Sequence, residues 1–158
     1  MLVTFTYRKV FPLVYDPADG RRRERLVGRE DARMSNEIRI VVGDIWLRAE
    51  LNDSPTAEAI FNGLPIVGSG NRWGEEIYFE IPVDEPLDTD ATEEVAVADI
   101  GYWPPGKAFC IFFGPTPVST GNEPKAASPV NRIGNVLDEV RVLTASPHGT
   151  EVRIERAE

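Results

Sequence analysis

The stretch IRIVVGDIWLRAEL, from Ile38 to Leu51, contains the clearest alternation of apolar and polar residues in the chain. Apolar side chains occupy every second position on both sides of Gly43-Asp44, which is the period of a β-strand with one buried face. Glycine at the first central position suits a two-residue type II′ turn, whose twist matches that of the flanking strands. The stretch therefore predicts an antiparallel hairpin.

Directly after this hairpin, the sequence predicts a short helix over residues 55–62. Ser54 is a good N-cap residue, and Pro55 suits the first helical position. Gly63 and Pro65 follow the helix and end it. One apolar stripe at helical spacing is formed by Ala57, Ile60, Phe61 and Leu64. Such a stripe is typical of core packing, so we expect this helix to close one end of the core.

The remaining apolar segments are short and favour strands. They are centred on Ile77 and Phe79, Val95 and Val97, residues 108–113, residues 136–137, residues 140–143, and Val152 and Ile154. Thirteen prolines and thirteen glycines are distributed along the chain and separate these segments. Many short strands with Gly/Pro turns and one helix predict a mostly β protein, closed into a barrel that leaves no free sheet edge.

Bulk composition excludes several classes of protein. The 158-residue chain has a net charge of −9, and an acidic surface repels phosphate backbones, so no nucleic-acid partner is expected. We expect no membrane partner, because no apolar run approaches the roughly 18–20 residues of a membrane helix. The N-terminus is a poor secretory signal, which favours a cytoplasmic protein. Cys110 is the only cysteine, and Phe109 and Ile111 beside it favour a buried thiol.

Residues 1–33 are predicted to form an N-terminal extension to a domain at 34–158. Alternation of Val3, Phe5 and Tyr7 indicates a strand, and residues 16–20 read as a turn, so an added strand or hairpin is expected at the domain edge. The basic run at 21–25 is short and has no aromatic neighbour, which favours a solvated loop or turn over an RNA-binding arm.

Four segments in this order resemble the small prokaryotic cyclophilin-like domain family, whose function is unknown. They are SPTAEAI at 54–60, WGEEIYF at 73–79, DIGYWPPG at 99–106 and IFFGPTP at 111–117. The resemblance covers about residues 36–156. It implies a closed eight-stranded cyclophilin-like barrel with fewer helices than true cyclophilins have.

The sequence departs from true cyclophilins where their activity resides. The Phe-His-Arg segment and the Phe-Met-x-Gln-Gly-Gly-Asp segment of those enzymes are both absent. The single histidine, His148, lies in a predicted turn. No catalytic residue is therefore carried over, and the fold alone does not imply the activity.

Aromatic and arginine residues at turns and strand ends outline a candidate binding groove. Its members are Arg72, Trp73, Tyr102, Trp103, Phe112, Phe113 and Arg132. The first hypothesis is a module that binds a peptide or a small ligand there without strong catalysis. The alternative is a weak peptidyl-prolyl isomerase, since an arginine donor can weaken the amide resonance behind the barrier of about 18–20 kcal/mol. A third possibility is a structural protein or a homo-oligomer without a ligand, because aromatic residues at strand ends commonly pack and have no other role.

Neither a cofactor nor a metal ion is expected. The run GSGNRWG at 68–74 has the wrong spacing for a dinucleotide fingerprint and leads into a strand, so a flexible loop beside the groove is favoured. Six acidic residues between positions 84 and 94 lack the calcium-loop pattern and are expected to be solvated. Glu75 and Glu76 are adjacent and would point to opposite faces of a strand, so they cannot act as a pair.

Overall fold

A computed structural model describes residues 13–16, 21–24 and 36–157 of the chain. In this part of the chain there are twelve strands and one α-helix. The strands are β1 (Leu13–Asp16), β2 (Arg21–Glu24), β3 (Glu37–Val42), β4 (Ile45–Leu51), β5 (Ile66–Ser69), β6 (Asn71–Arg72), β7 (Glu76–Glu80), β8 (Thr92–Glu94), β9 (Asp99–Trp103), β10 (Ala108–Phe112), β11 (Lys125–Val136) and β12 (Glu151–Arg156). The helix is α1 (Pro55–Asn62).

The chain divides into two compact units, residues 1–36 and residues 37–158. In the first unit β1 and β2 form an antiparallel hairpin in which Asp16 lies opposite Arg21. The expectation of a loop or turn for the basic run at 21–25 is wrong for residues 21–24, because their backbone pairs with the strand-forming residues 13–16. The strand predicted around Val3, Phe5 and Tyr7 lies outside the described residues.

In the second unit the hairpin and the helix form where the sequence predicts them. Strands β3 and β4 pair in the expected register, and Gly43 at the turn has a φ of +61°, which a glycine adopts without strain. Helix α1 spans Pro55–Asn62, and the Ser54 hydroxyl accepts a hydrogen bond of 3.2 Å from the Ala57 amide. Both elements follow from local residue patterns.

Ten strands of the second unit form one antiparallel sheet. Nine follow the order β5-β12-β3-β4-β11-β9-β10-β7-β6, and β8 pairs with the first part of β11. The predicted number of eight strands is therefore wrong. Strands β5 and β6 are the two ends of this order and do not pair with each other, so the predicted closure into a barrel is not confirmed. In the chain, only Gly70 separates these two strands. The mostly β class with one short helix is confirmed.

Two segments differ from their predicted conformations. Residues 140–143 were expected to form a strand, but Val140–Ala145 is a 3-10 helix, begun by the Glu139 carboxylate accepting from the Arg141 amide. Residues 68–74 include strands β5 and β6 instead of a flexible loop. Gly68 is required there by packing, since a Cβ at this position would lie 2.5 Å from the Phe79 ring.

The apolar residues form two clusters on opposite faces of the sheet. The larger one, the main core, contains the inward faces of β3, β4, β7, β9, β10 and β12 together with Ala57 and Ile60 of α1. The smaller one, which we call the outer cluster, consists of Val95, Ala108, Cys110, Phe112, Ala126 and Val130. No helix in the described part of the chain is long and apolar enough to cross a membrane.

Candidate functional site

The candidate site lies on the face of β7, β9 and β10 that points away from the main core. Successive residues of a strand point to opposite faces, so Ile77 and Phe79 enter the main core whereas Glu76 and Tyr78 of β7 point outward. Strand β10 alternates in the same way and places Cys110 on the outer side.

A cavity of about 230 Å³ opens on this outer face. We call it the tryptophan cavity. It is lined by Trp73, Glu76, Tyr78, Trp103, Cys110, Ala126, Ala127 and Val130. Ala127 is exposed and Trp73 is half-buried, so the tryptophan cavity reaches the surface at this side. Its walls come from Trp73, which directly follows β6, and from β7, β9, β10 and β11.

The first half of β11 covers the outer face because Gly101 lets it approach closely. A Cβ at Gly101 would lie 3.0 Å from Cγ2 and 3.2 Å from Cβ of Val130. Strand β11 pairs with β8 through this half and with β9 and β4 through the other half, with a register shift between Arg132 and Gly134. The bent strand thus forms one wall of the tryptophan cavity.

Trp103 is held rigidly at the cavity wall. Its indole Nε1–H donates a hydrogen bond of 2.6 Å to the Ser128 hydroxyl on β11. Its ring also packs on Gly106, where a Cβ would lie 2.7 Å from the ring. A side chain fixed on both sides can present its remaining surface to a ligand with little loss of conformational entropy.

Among the residues that the structure describes, Glu76 is the only acidic one that lines the tryptophan cavity. Its side chain is buried, and the residue is 6% exposed. Burial raises the pKa of Glu76 to about 7, and a hydrogen bond with the Cys110 thiol partly opposes this shift. Burial and the neighbouring Glu76 raise the pKa of Cys110 well above its usual range, so the thiol stays protonated at neutral pH. The cavity therefore contains one carboxyl group that gains or loses its proton near neutral pH.

Arg72 lies outside the tryptophan cavity and binds the 3-10 segment that follows β11. Its Nη1 donates to the Ser146 and Thr144 carbonyls at 2.6 and 3.3 Å, and its Nε donates to the Gly74 carbonyl at 2.8 Å. Its Nη2 pairs with the Glu75 carboxylate at 3.2 Å. Glu75 and Glu76 point in different directions, as the alternation of a strand predicts.

The other predicted groove residues occupy separate places. The Arg72 guanidinium lies 5.0 Å from the centre of the Phe113 ring, and neither residue lines the tryptophan cavity. Tyr102 is buried in the main core, where its hydroxyl donates to the Val83 carbonyl. Phe112 packs in the outer cluster. Arg132 is exposed and does not line the cavity.

Of the groove residues named from the sequence, Trp73 and Trp103 both line the tryptophan cavity, whereas Glu76, Tyr78 and Cys110 line it and were not named among them. Glu76, Tyr78 and Glu80 alternate with apolar residues along β7, and polar residues in such an alternation commonly face the solvent. Glu80 is indeed exposed, whereas the bent β11 buries Glu76. The only sequence signal for the burial of Glu76 was the apolar outer face of β10, because an apolar face requires a second layer of structure to cover it.

Residues 36–155 match the model of the cyclophilin-like family. Because this match covers most of the chain, the protein belongs to that family. No curated protein matches the chain. The solution structure of the hypothetical protein AF2241 from Archaeoglobus fulgidus is similar, with a TM-score of 0.67 and 37% identity over 78% of this chain and 95% of that one. The structure of McbB in complex with tryptophan matches with a TM-score of 0.58 and 17% identity, over 75% of this chain and 44% of McbB, and shows a shared fold alone.

Proposed function

We propose that this cyclophilin-like domain is a binding module that holds a small ligand, or one side chain of a peptide, in the tryptophan cavity without catalysis. The observation that carries the proposal is the placing of Trp73 and Trp103 on one apolar cavity of about 230 Å³. This volume lies below the roughly 300–1,000 Å³ typical of drug-sized ligands. An extended peptide would therefore insert a single side chain.

Aromatic side chains give such a cavity most of its affinity. Trp73, Tyr78 and Trp103 offer large apolar surfaces, and burial of apolar area stabilises a complex by about 25 cal/mol per Å². Trp103 is fixed by Ser128 and Gly106, which limits the entropy lost on binding. These properties favour a ligand with a compact apolar body.

Tryptophan fluorescence tests the proposal directly. The third tryptophan, Trp46, is 57% exposed and stacks with Arg39 away from the cavity, so the variant Trp46→Phe leaves only the two cavity tryptophans as reporters. A library of small aromatic and aliphatic compounds should contain members that change this emission. At about 100 times its dissociation constant, a ligand should also raise the free energy of unfolding by about 2.7 kcal/mol.

A cavity-filling variant provides the control. Ala126 is buried and lines the tryptophan cavity, so Ala126→Leu should occupy part of the volume and remove ligand binding while the domain stays folded. Absence of any fluorescence or thermal response across the library, or equal binding by this variant, would argue against the proposed function.

Prolyl isomerisation remains an alternative that the positions of the two arginines do not favour. Arg72 uses its Nε, Nη1 and Nη2 atoms within the fold, and Arg132 lies away from the tryptophan cavity. A protease-coupled isomerisation assay of the wild type, Arg72→Ala and Arg132→Ala tests it. A wild-type rate equal to the uncatalysed background would remove this alternative.

A further inference from the structure

The tryptophan cavity combines an apolar wall with a carboxyl group that lacks a counter-ion. Among the described residues, no lysine, arginine or histidine lines it, and Cys110 is the only side chain that shifts the pKa of Glu76. A buried carboxylate without a cationic partner is costly, and proteins normally pair such a group. A pairing group supplied by a ligand would remove this cost.

The aromatic walls favour the same kind of ligand. The face of an aromatic ring is electrically negative, and tryptophan attracts cations more strongly than phenylalanine or tyrosine. Trp73 and Trp103 line the cavity that holds Glu76, so the rings and the carboxylate would attract one positive group together. An anion would be repelled by both, and a neutral ligand would leave the carboxylate unpaired.

We propose that the tryptophan cavity binds a small organic cation, an ammonium or methylated ammonium group on a compact apolar body. The ammonium group lies against the Glu76 carboxylate, and the apolar body packs on Trp73 and Trp103. This inference rests on the proposed function, because it names the ligand class of the same cavity. The same head group occurs in free amines and in lysine side chains, so the test includes both sources.

The titratable groups around the carboxyl support a single negative charge in the cavity. Among the described residues, Tyr78 from β7 and Cys110 from β10 are the other titratable ones that line it, and the raised pKa of Cys110 keeps its thiol neutral. Glu76, with a pKa of about 7, is then the group that becomes charged when a cation enters. Binding should consequently release a proton from Glu76.

Calorimetric titration of the full chain at pH 7 with three compounds of similar shape tests the inference. Benzylamine is the cation, benzyl alcohol is the neutral analogue and benzoate is the anion. We expect benzylamine to bind about tenfold more tightly than benzyl alcohol, and benzoate to bind most weakly. A tripeptide with a central lysine forms a fourth arm, and its affinity relative to benzylamine shows whether a side chain or a free amine fits better.

Two variants on one strand separate the role of Glu76 from general charge effects. Glu76→Gln should weaken benzylamine binding about tenfold and leave benzyl alcohol binding nearly unchanged. Glu80→Gln removes the same charge from the exposed end of β7 and should change neither. The number of protons released on binding is an independent readout, measured by titrating the wild type calorimetrically in buffers of different ionisation enthalpy. At pH 7, benzylamine should release about half a proton and benzyl alcohol none.

The outcomes distinguish this inference from the proposed function. If benzyl alcohol binds as tightly as benzylamine, or both release equal numbers of protons, the ligand class is wrong and the binding module stands. If benzoate binds most tightly, the ligand class is also wrong. If none of the four compounds binds while other members of the library do, the cation inference fails alone, and silence across the whole library removes both proposals.

Discussion

Burial sets the pKa of Glu76, whereas a hydrogen-bonded guanidinium sets that of Asp138. The Arg48 side chain and amide hydrogen-bond the Asp138 carboxylate and hold its pKa below the usual range. Glu76 instead loses water without gaining a cation, so its pKa rises from 4.5 to about 7. The folded protein therefore binds the proton of Glu76 more tightly than the unfolded chain does.

This shift predicts a pH-dependent difference between the wild type and Glu76→Gln. Protonated Glu76 contributes its full stabilisation below pH 4.5, and this contribution is lost as the pH rises through 7. The free energy of unfolding of the wild type relative to Glu76→Gln should fall by about 3 kcal/mol between pH 4 and pH 8. Urea unfolding at four pH values measures this difference. The stability of the wild type relative to Glu80→Gln should not change with pH in this way. Parallel pH profiles for the wild type and Glu76→Gln would contradict the burial argument.

Arg72 is predicted to stabilise the folded protein, and Arg132 serves as its matched control. Arg72→Ala removes hydrogen bonds to Gly74, Thr144 and Ser146 and should lower the free energy of unfolding by about 2–3 kcal/mol. The Arg132 side chain is exposed and makes no hydrogen bond or ion pair with another described residue, so Arg132→Ala should change stability by less than about 0.5 kcal/mol. Thermal and urea unfolding compare the two variants. Equal stability of both would show that the contacts of Arg72 contribute little.

At the scale of elements, local patterns were predictable and long-range pairing was not. The hairpin around Gly43 and the helix after Ser54 depend on turn and cap residues that neighbour them in sequence. Only Val136 at the end of strand β11 was predicted, because Pro129 and Gly134 interrupt the apolar alternation of the strand and its pairing is divided among three other strands. The tryptophan cavity exists only once β11 bends over the sheet, so no single segment could indicate the position of Glu76.

The junction of β4 and β11 depends on Gly134. A Cβ at this position would lie 2.1 Å from the Glu50 carbonyl oxygen and 3.0 Å from the Leu51 Cα, and neither backbone atom can move freely within the ladder. Gly134→Ala should lower the free energy of unfolding by about 3 kcal/mol, as overpacking in a core does. Gly121→Ala is the control, because nothing lies within 4 Å of a Cβ there. If urea unfolding gives equal midpoints for both variants, the close approach of the two strands is wrong.

At the scale of the whole molecule, the sheet separates two environments. Its inner face packs the main core against α1, and its outer face carries the outer cluster and the tryptophan cavity. The large apolar cluster supplies most of the burial that stabilises the fold, which leaves the outer face able to retain a cavity. A costly buried carboxyl is tolerated there because the main core does not depend on it.

The same separation leads to a prediction about residues 36–158. The family match covers residues 36–155, and both apolar clusters lie wholly within the unit at 37–158. A chain shortened to residues 36–158 should therefore unfold cooperatively, with a Tm within a few degrees of that of the full chain, because it retains every residue of the main core and of the outer cluster. Calorimetry and amide NMR spectra compare the stability and folding of the two chains. With Trp46→Phe in both chains, tryptophan fluorescence shows whether the two cavity tryptophans respond equally to ligand. Loss of cooperative unfolding in the short chain would mean that residues 1–35 complete the core, and a boundary near residue 34 would then be wrong.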